Sequence, residues 1–200
     1  VLPALITPLH ADGSLNEAAL EALLANLFSA GCHGVYVAGN TGEGLLLSLE
    51  LREQLAAAVR RLTPPDRGVI VHIGTLDTAT SVRLAKHAAS IGAMAISSLP
   101  PAGPYSFADL KTFYATLASA CDIPLLVYFF PEAAPAIRTY PQLADLCAIP
   151  NVAGLKFTDF DFYTLARIKA LGKTVFNGRD EAFACGMLMG ADGGIGSFYT

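Results

Sequence analysis

A lysine stands in the middle of an apolar run, Val152-Ala153-Gly154-Leu155-Lys156-Phe157-Thr158-Asp159. A short apolar segment bounded by Asn151 and by an acidic turn has the pattern of a strand buried on both faces, as in a parallel sheet. An ammonium group in such surroundings is costly unless it is paired or gives up its proton. A desolvated lysine of lowered pKa is a nucleophilic amine able to form a Schiff base with a carbonyl substrate. The alternative is a strand-end lysine that snorkels to solvent or pairs with Asp159 or Asp161. Other apolar runs also end on reactive or polar groups: Thr7, Asn40-Thr41, Tyr128, Thr158, Asn177 to Glu181, and Ser197. Hydroxyls, an amine, two acids and glycine-flanked backbone, with no metal-ligand cluster among them, suit a small polar carbonyl substrate rather than a metal-activated water.

Bringing these ends together requires a regular frame, and the chain alternates strand and helix patterns from end to end. Strands are predicted at residues 2–7, 34–38, 68–73, 93–99, 124–130, the lysine run, 174–177 and 193–198. Ser14-Leu15-Asn16-Glu17 reads as a capping box before Leu20, Leu23, Leu24, Leu27 and Phe28 at helical spacing, with Gly31 as the stop. Further helices are predicted over about 48–62, 78–90, 106–120, 140–147, 162–171 and 180–189. Eight strands with seven helices between them argue for an α/β fold with a parallel sheet, and eight is the number that closes a (β/α)8 TIM barrel. An open doubly wound sheet is the alternative, but the first strand–helix turn lacks the G-x-G-x-x-G of a dinucleotide site.

Composition narrows the partners. With 53% hydrophobic and 15% charged residues, the chain has ample core material and is apolar for a monomer, which points to an oligomer or to a missing covering piece. A net charge of −4 and the lack of a basic stripe argue against nucleic acid, and no apolar run is long enough to span a membrane. Cys32, Cys121, Cys147 and Cys185 are far apart, without C-x-x-C or a histidine at ligand spacing, so buried thiols in a reducing, cytoplasmic compartment are expected and a structural zinc is not. The whole of 1–200 is expected to be a single barrel domain lacking its eighth helix and C-terminal helices, as a piece of a longer protein would.

Gly39-Asn40-Thr41-Gly42-Glu43, Tyr128 at a strand end, Gly154-Leu155-Lys156 followed by Thr158, Asn177-Gly178-Arg179-Asp180-Glu181 and Gly193-Gly194-Ile195-Gly196-Ser197 resemble the successive signatures of the dihydrodipicolinate synthase/N-acetylneuraminate lyase family. The resemblance runs from the first strand to the last residue. It implies a class I pyruvate aldolase on a TIM barrel, tetrameric, acting on a small 2-keto acid without any cofactor beyond the lysine. Lys156 would form the Schiff base and Tyr128 would move protons. Asn40 and Thr41 would hold the substrate carboxylate, and Gly39 and Gly42 would free backbone N–H groups for the same purpose. Thr158, Gly178, Asp180, Glu181 and Ser197 match positions that bind the hydroxylated tail of the sugar acid in the sialic acid lyase branch, and paired carboxylates suit vicinal hydroxyls. Asp180 could cap a helix at the same time.

Departures from the family pattern shape the substrate expectation. The synthase branch carries an arginine where this chain has Ala133, and a neighbour-subunit tyrosine where it has Ala102-Gly103, with Tyr105 out of register. Asn40 replaces a Ser or Thr, Phe129-Phe130 replaces a more polar segment, and Glu132 adds a negative charge near the mouth. N-acetylneuraminate cleavage to pyruvate and N-acetylmannosamine is the leading expectation. A 2-keto-3-deoxy sugar acid aldolase, a 4-hydroxy-tetrahydrodipicolinate synthase and a non-catalytic keto acid or sugar acid binder are the alternatives.

Overall fold

Strands buried on both faces need cover on both sides, and a closed ring with helices outside supplies it. The computed structural model describes all 200 residues. In chain order it contains β1 (Leu2–Pro3), α1 (Glu17–Ser29), β2 (Gly34–Val37), α2 (Leu49–Leu62), β3 (Gly68–His72), α3 (Thr78–Ser90), β4 (Ala95–Ser98), α4 (Phe107–Ala118), β5 (Leu125–Phe129), α5 (Tyr140–Cys147), β6 (Val152–Phe157), α6 (Phe162–Lys169), β7 (Thr174–Asn177), α7 (Phe183–Leu188) and β8 (Gly193–Gly196). The strands are parallel, in the order β1-β8-β7-β6-β5-β4-β3-β2. The ring closes through a parallel bridge between Ala4 and Tyr36, with the Leu5 amide donating to the Tyr36 carbonyl at 2.9 Å. This is a (β/α)8 barrel in which seven helices connect eight strands.

Two apolar layers follow from the strand alternation. Leu2, Ala4, Tyr36, Ile70, Ala95, Leu126, Tyr128 and Ile195 fill the interior of the ring. A larger cluster, including Val35, Val69, Ile96, Val127, Leu155 and Val175, packs outward against the helices. Side chains on paired residues of parallel strands point the same way, so the register Tyr128↔Lys156 sends both into the interior. The helices are anchored by side-chain caps at Ser48, Asp77, Ser106, Thr139 and Asp161, with capping boxes at Ser106/Asp109 and Thr139/Gln142. No helix is long and apolar enough to cross a membrane.

Several local expectations are corrected. Ser14 spends its amide and hydroxyl on Asp12 Oδ1, so Asn16 caps α1 by accepting from the Ala19 amide, and no Ser14/Glu17 capping box forms. The first strand stops well short of Thr7, because Pro8 has no N–H for a ladder and Thr7 turns to donate its hydroxyl to the Gly42 carbonyl. β8 ends at Gly196, where Ser197–Tyr199 turns into a 3-10 helix. Asp180 caps nothing: its Oδ2 accepts from the Phe198 amide, and Asp180–Ala182 remains a single 3-10 turn before α7. Cys32 and Cys147 are buried as expected, whereas Cys121 is half-buried and Cys185, on the outer face of α7, is exposed.

Candidate active site

Burial of Lys156 is the central fact of the site. The residue is 5% exposed, and it pairs with neither Asp159 nor Asp161, whose carboxylates serve the start of α6. Its Nζ lies 4.1 Å from the centroid of the Tyr128 ring and 4.3 Å from that of Tyr36. Burial brings the Lys156 pKa down from the usual 10.5 to about 7, against the opposing pull of Asp180. Near neutrality, a large fraction of the amine is therefore unprotonated and nucleophilic.

Aromatic rings form the floor beneath the amine. Tyr36 meets Tyr128 edge-on at 6.2 Å and 85°, His72 meets Tyr128 at 6.0 Å and 88°, and Tyr36 lies 6.2 Å from His72. Nδ1 of His72 donates to the Ala38 carbonyl at 3.2 Å, and Nε2 accepts from the Leu99 amide at 3.2 Å, which fixes the neutral tautomer. Burial, aided by Arg52 and Lys156, pushes the His72 pKa down to about 3. Arg52 reaches in from α2 to donate to the Gly74 and His72 carbonyls at 2.9 and 2.7 Å, tying down the mouth end of β3. Burial lowers its pKa to about 10, still cationic at neutral pH.

Tyr128 has its phenol pushed up to about 12 by burial. Thr158 and Arg179 pull it down and Asp180 pushes it up. The Thr158 side chain lies beside the phenol, although its Oγ1 makes no hydrogen bond of normal geometry. An added Cβ on Gly178 would collide with that Oγ1, so only glycine lets β7 approach Thr158 so closely. Buried polar atoms without partners gather on this side: Thr158 Oγ1, Asn177 Oδ1, Arg179 Nε, Asp180 Oδ1 and the Tyr199 hydroxyl. Such atoms are rare in folded chains, and a cluster of them at a barrel mouth marks a place suited to a polar ligand.

The loop after β2 supplies a second wall. The Thr41 and Ser197 hydroxyls are 2.7 Å apart, joining the mouth ends of β2 and β8. The Thr41 and Gly42 amides take part in no hydrogen bond within the chain, which leaves them as donors for an anion. Close packing also explains the glycines here. A Cβ on Gly42 would stand 2.7 Å from the Leu5 carbonyl oxygen, and one on Gly39 would stand 2.6 Å from Tyr36 Cε1. Asn40 is exposed and, with His72, Gly74, Leu99 and Ala133, lines a cavity of about 160 Å³ whose walls include neither Lys156 nor Tyr128.

The structure thus brings Lys156, Tyr128, Thr158, Gly178 and Asp180 into one cluster and links Thr41 to Ser197. Glu181 is exposed, with its carboxylate 4.0 Å from Arg179. Arg179 is the main addition to the expected set. Its guanidinium is ion-paired with Glu132 and lies 4.6 Å from the Phe160 centroid and 5.6 Å from that of Phe130, so it spans the loops after β5, β6 and β7. Tyr36, His72, Arg52 and Arg179 were not picked out as site residues from sequence. The signal that singled out Lys156, a polar residue inside an apolar strand, is present for His72 in Gly68-Val69-Ile70-Val71-His72. Arg179 lies inside the Asn177-Gly178-Arg179-Asp180-Glu181 strand-end segment, though without a role of its own there, and nothing local marks Arg52.

Comparison with known proteins agrees with this geometry. An N-acetylneuraminate lyase of Rhizobium meliloti is 38% identical over 208 residues, an alignment that takes in 100% of this chain and 68% of the relative. The crystal structure of N-acetylneuraminate lyase from Mycoplasma synoviae superposes with a TM-score of 0.91 at 33% identity, covering 99% of this chain and 68% of that one. CdNal from Clostridium difficile, solved in complex with mannosamine, superposes at 0.94 with 28% identity, covering 100% of this chain and 70% of that one. The profile of the dihydrodipicolinate synthetase family matches residues 1–200, and with these relatives it establishes that the chain belongs to that family.

Proposed function

We propose that this protein is a class I aldolase that cleaves N-acetylneuraminate to pyruvate and N-acetylmannosamine. The observation that carries the reading is the Lys156 amine, buried, unpaired and seated over the Tyr128 ring at the mouth of the barrel. The identity to N-acetylneuraminate lyases supports the choice of substrate.

The chemistry follows from the groups in reach. Lys156 Nζ attacks the keto carbon of the open-chain sugar acid, and loss of water from the carbinolamine leaves a protonated iminium. Deprotonation of the hydroxyl on the carbon beyond the scissile bond releases an aldehyde. The bonding pair flows into the iminium and gives an enamine. Protonation of the enamine carbon and hydrolysis then free pyruvate and regenerate the amine. Tyr128 is the proton carrier for these steps, since it is the acid–base group beside the amine. A phenol of pKa about 12 is a poor base by itself, so the charge developing on the adjacent iminium must help it ionise.

Thr41, Asn40 and the free amides of their loop are assigned to the substrate carboxylate. Thr158, Gly178, Asp180, Glu181 and Ser197 are assigned to its hydroxyls, for which the unpartnered Asp180 Oδ1 and Thr158 Oγ1 provide polar contacts. The guanidinium at this end of the mouth is engaged by Glu132, which disfavours an aldehyde bearing its own carboxylate. On this reading the protein is a cytoplasmic homotetramer, and exposed Leu45, Leu46 and Leu76 beside the mouth are consistent with an oligomer.

The test is pyruvate release from N-acetylneuraminate, run beside a panel of 2-keto-3-deoxy sugar acids and with Lys156→Met as control. Turnover of N-acetylneuraminate that disappears in the variant supports the assignment. Preference for another sugar acid would replace the substrate but keep the chemistry. Thermal stabilisation by ligand without turnover, unchanged in Lys156→Ala, would replace the enzyme with a binder.

A further inference from the structure

The amine of Lys156 is held by faces of rings rather than by a carboxylate, and one of those rings has no place in the mechanism above. Tyr36 is fully buried on β2, and its ring centroid lies 4.3 Å from Lys156 Nζ, on a different strand from Tyr128. Its hydroxyl donates to Ser97 Oγ at 3.1 Å, which occupies the phenol and fixes the plane of the ring. An edge contact with Tyr128 and a tilted contact with His72 hold it from two further sides. The fourth side is Gly39, the first glycine of the loop after β2, where any Cβ would stand 2.6 Å from Tyr36 Cε1. The chain therefore keeps a glycine in that loop to seat this ring against the lysine.

We propose that the face of the Tyr36 ring, and not its hydroxyl, belongs to the catalytic apparatus by stabilising the positive charge that Lys156 Nζ acquires as an iminium. The proposal rests on the reading of Lys156 as the Schiff-base lysine. In Schiff-base formation a neutral amine adds to a ketone, one proton is taken up, one water leaves, and the nitrogen ends with a full positive charge. The π face attracts that charge and does little for the neutral amine, so it favours the iminium over the free amine plus keto acid. The same attraction favours re-formation of the iminium when the enamine is protonated after cleavage. Carbon–carbon cleavage discharges the nitrogen, so the ring gives that step no help.

This role has a pH signature that a merely structural role lacks. The ionisable groups facing the amine are Tyr36 on β2, His72 on β3, Tyr128 on β5 and Asp180 after β7, with Arg52 behind His72 and Arg179 near Tyr128. His72 is neutral across the working range, since burial keeps its pKa at about 3, and both phenols are pushed up by burial. Lys156 is then the group that changes charge near neutrality. Below its pKa the reactant is an ammonium and the product an iminium; the ring attracts both, and its removal changes little. Above that pKa the reactant is neutral, and removal weakens the product alone.

The experiment titrates pyruvate against the protein at several pH values, traps the adduct with borohydride, and reads the mass added at Lys156. In Tyr36→Leu the apparent dissociation constant for pyruvate should rise roughly three- to thirtyfold above pH 8.5, the range expected of a buried cation–π contact, and stay unchanged below pH 6. In Tyr36→Phe, which keeps the ring and loses the Ser97 bond, it should remain within about twofold of the parent throughout. Should Tyr36→Leu fail to fold, mono-, di- and trifluorinated phenylalanines at this position drain the ring face without changing its bulk. The alkaline constant must then weaken stepwise along that series. A flat fluorine series, or an equal loss at both ends of the pH range, overturns the role of Tyr36. Absence of any adduct in the parent protein overturns the Schiff-base reading itself, a distinct result.

Discussion

Replacing the nucleophile should make this protein more stable, and by an amount that depends on pH. The Lys156 pKa is lowered from 10.5 to about 7 by burial, so the unfolded chain holds a proton that the folded chain releases. Between about pH 7 and 10.5 the unfolded state binds more protons, and stability rises with pH across that window. Below pH 7 the penalty is present in full. Integrating the two titrations gives a cost of about 4 kcal/mol at pH 7 and about 2 kcal/mol at pH 9, fading towards zero by pH 10.5. Lys156→Met fills nearly the same volume with an uncharged chain and removes that cost. Urea unfolding of parent and variant at pH 7 and at pH 9 should differ by these amounts, and the variant's Tm at pH 7 should rise by about 10 °C. The variant must also lose the borohydride-trapped pyruvate adduct. A stability difference that is flat with pH, or a variant less stable at pH 7, would show that the amine is hydrated or paired in solution, and the argument from burial to nucleophilicity would fail with it.

Tyr128→Phe should form the pyruvate adduct at Lys156 more slowly but still reach it on long incubation, while cleavage of the sugar acid falls by about 10²–10⁴, a split read by trapping and turnover on the same sample. Gly196→Ala should displace the Asp180 carboxylate, because the new Cβ would occupy its place, and so raise KM for the sugar acid while leaving pyruvate trapping intact. Thr41→Ala and Ser197→Ala remove opposite ends of a 2.7 Å hydrogen bond, so their effects on KM should be non-additive by about 1 kcal/mol in a double-mutant cycle. Glu132→Gln leaves the Arg179 charge uncompensated and should move the alkaline limb of the pH–rate profile to lower pH, whereas Arg179→Met should move it higher, because Arg179 draws the Tyr128 pKa down.

The sequence by itself determined the alternation of strands and helices, the starts of helices near residues 48 and 106, and the conspicuous placement of Lys156. All of these are short-range: apolar runs, hydroxyl-led turns and one charge out of place are visible within a window of a few residues. It also located most of the strand ends, and in a barrel those ends converge, so the order of residues alone groups Tyr128, Thr158, Gly178 and Asp180. Boundaries failed where groups outside the expected cap competed for the same donors and acceptors, two residues away in one case and eighteen in the other. Asp12 took Ser14 from its capping box, and the Phe198 amide took Asp180 from the start of α7.

Only the tertiary structure decided what surrounds the amine. The two ring faces over Lys156 come from residues 120 and 28 positions earlier in the chain, and the Thr41–Ser197 link joins residues 156 apart. Arg179 meets Glu132 across 47 residues and Arg52 reaches β3 from the preceding helix. The reason is physical: a side chain's pKa and reactivity are set by the dielectric and charges within a few ångströms, and closure of the ring, not the order of residues, determines which groups share that space.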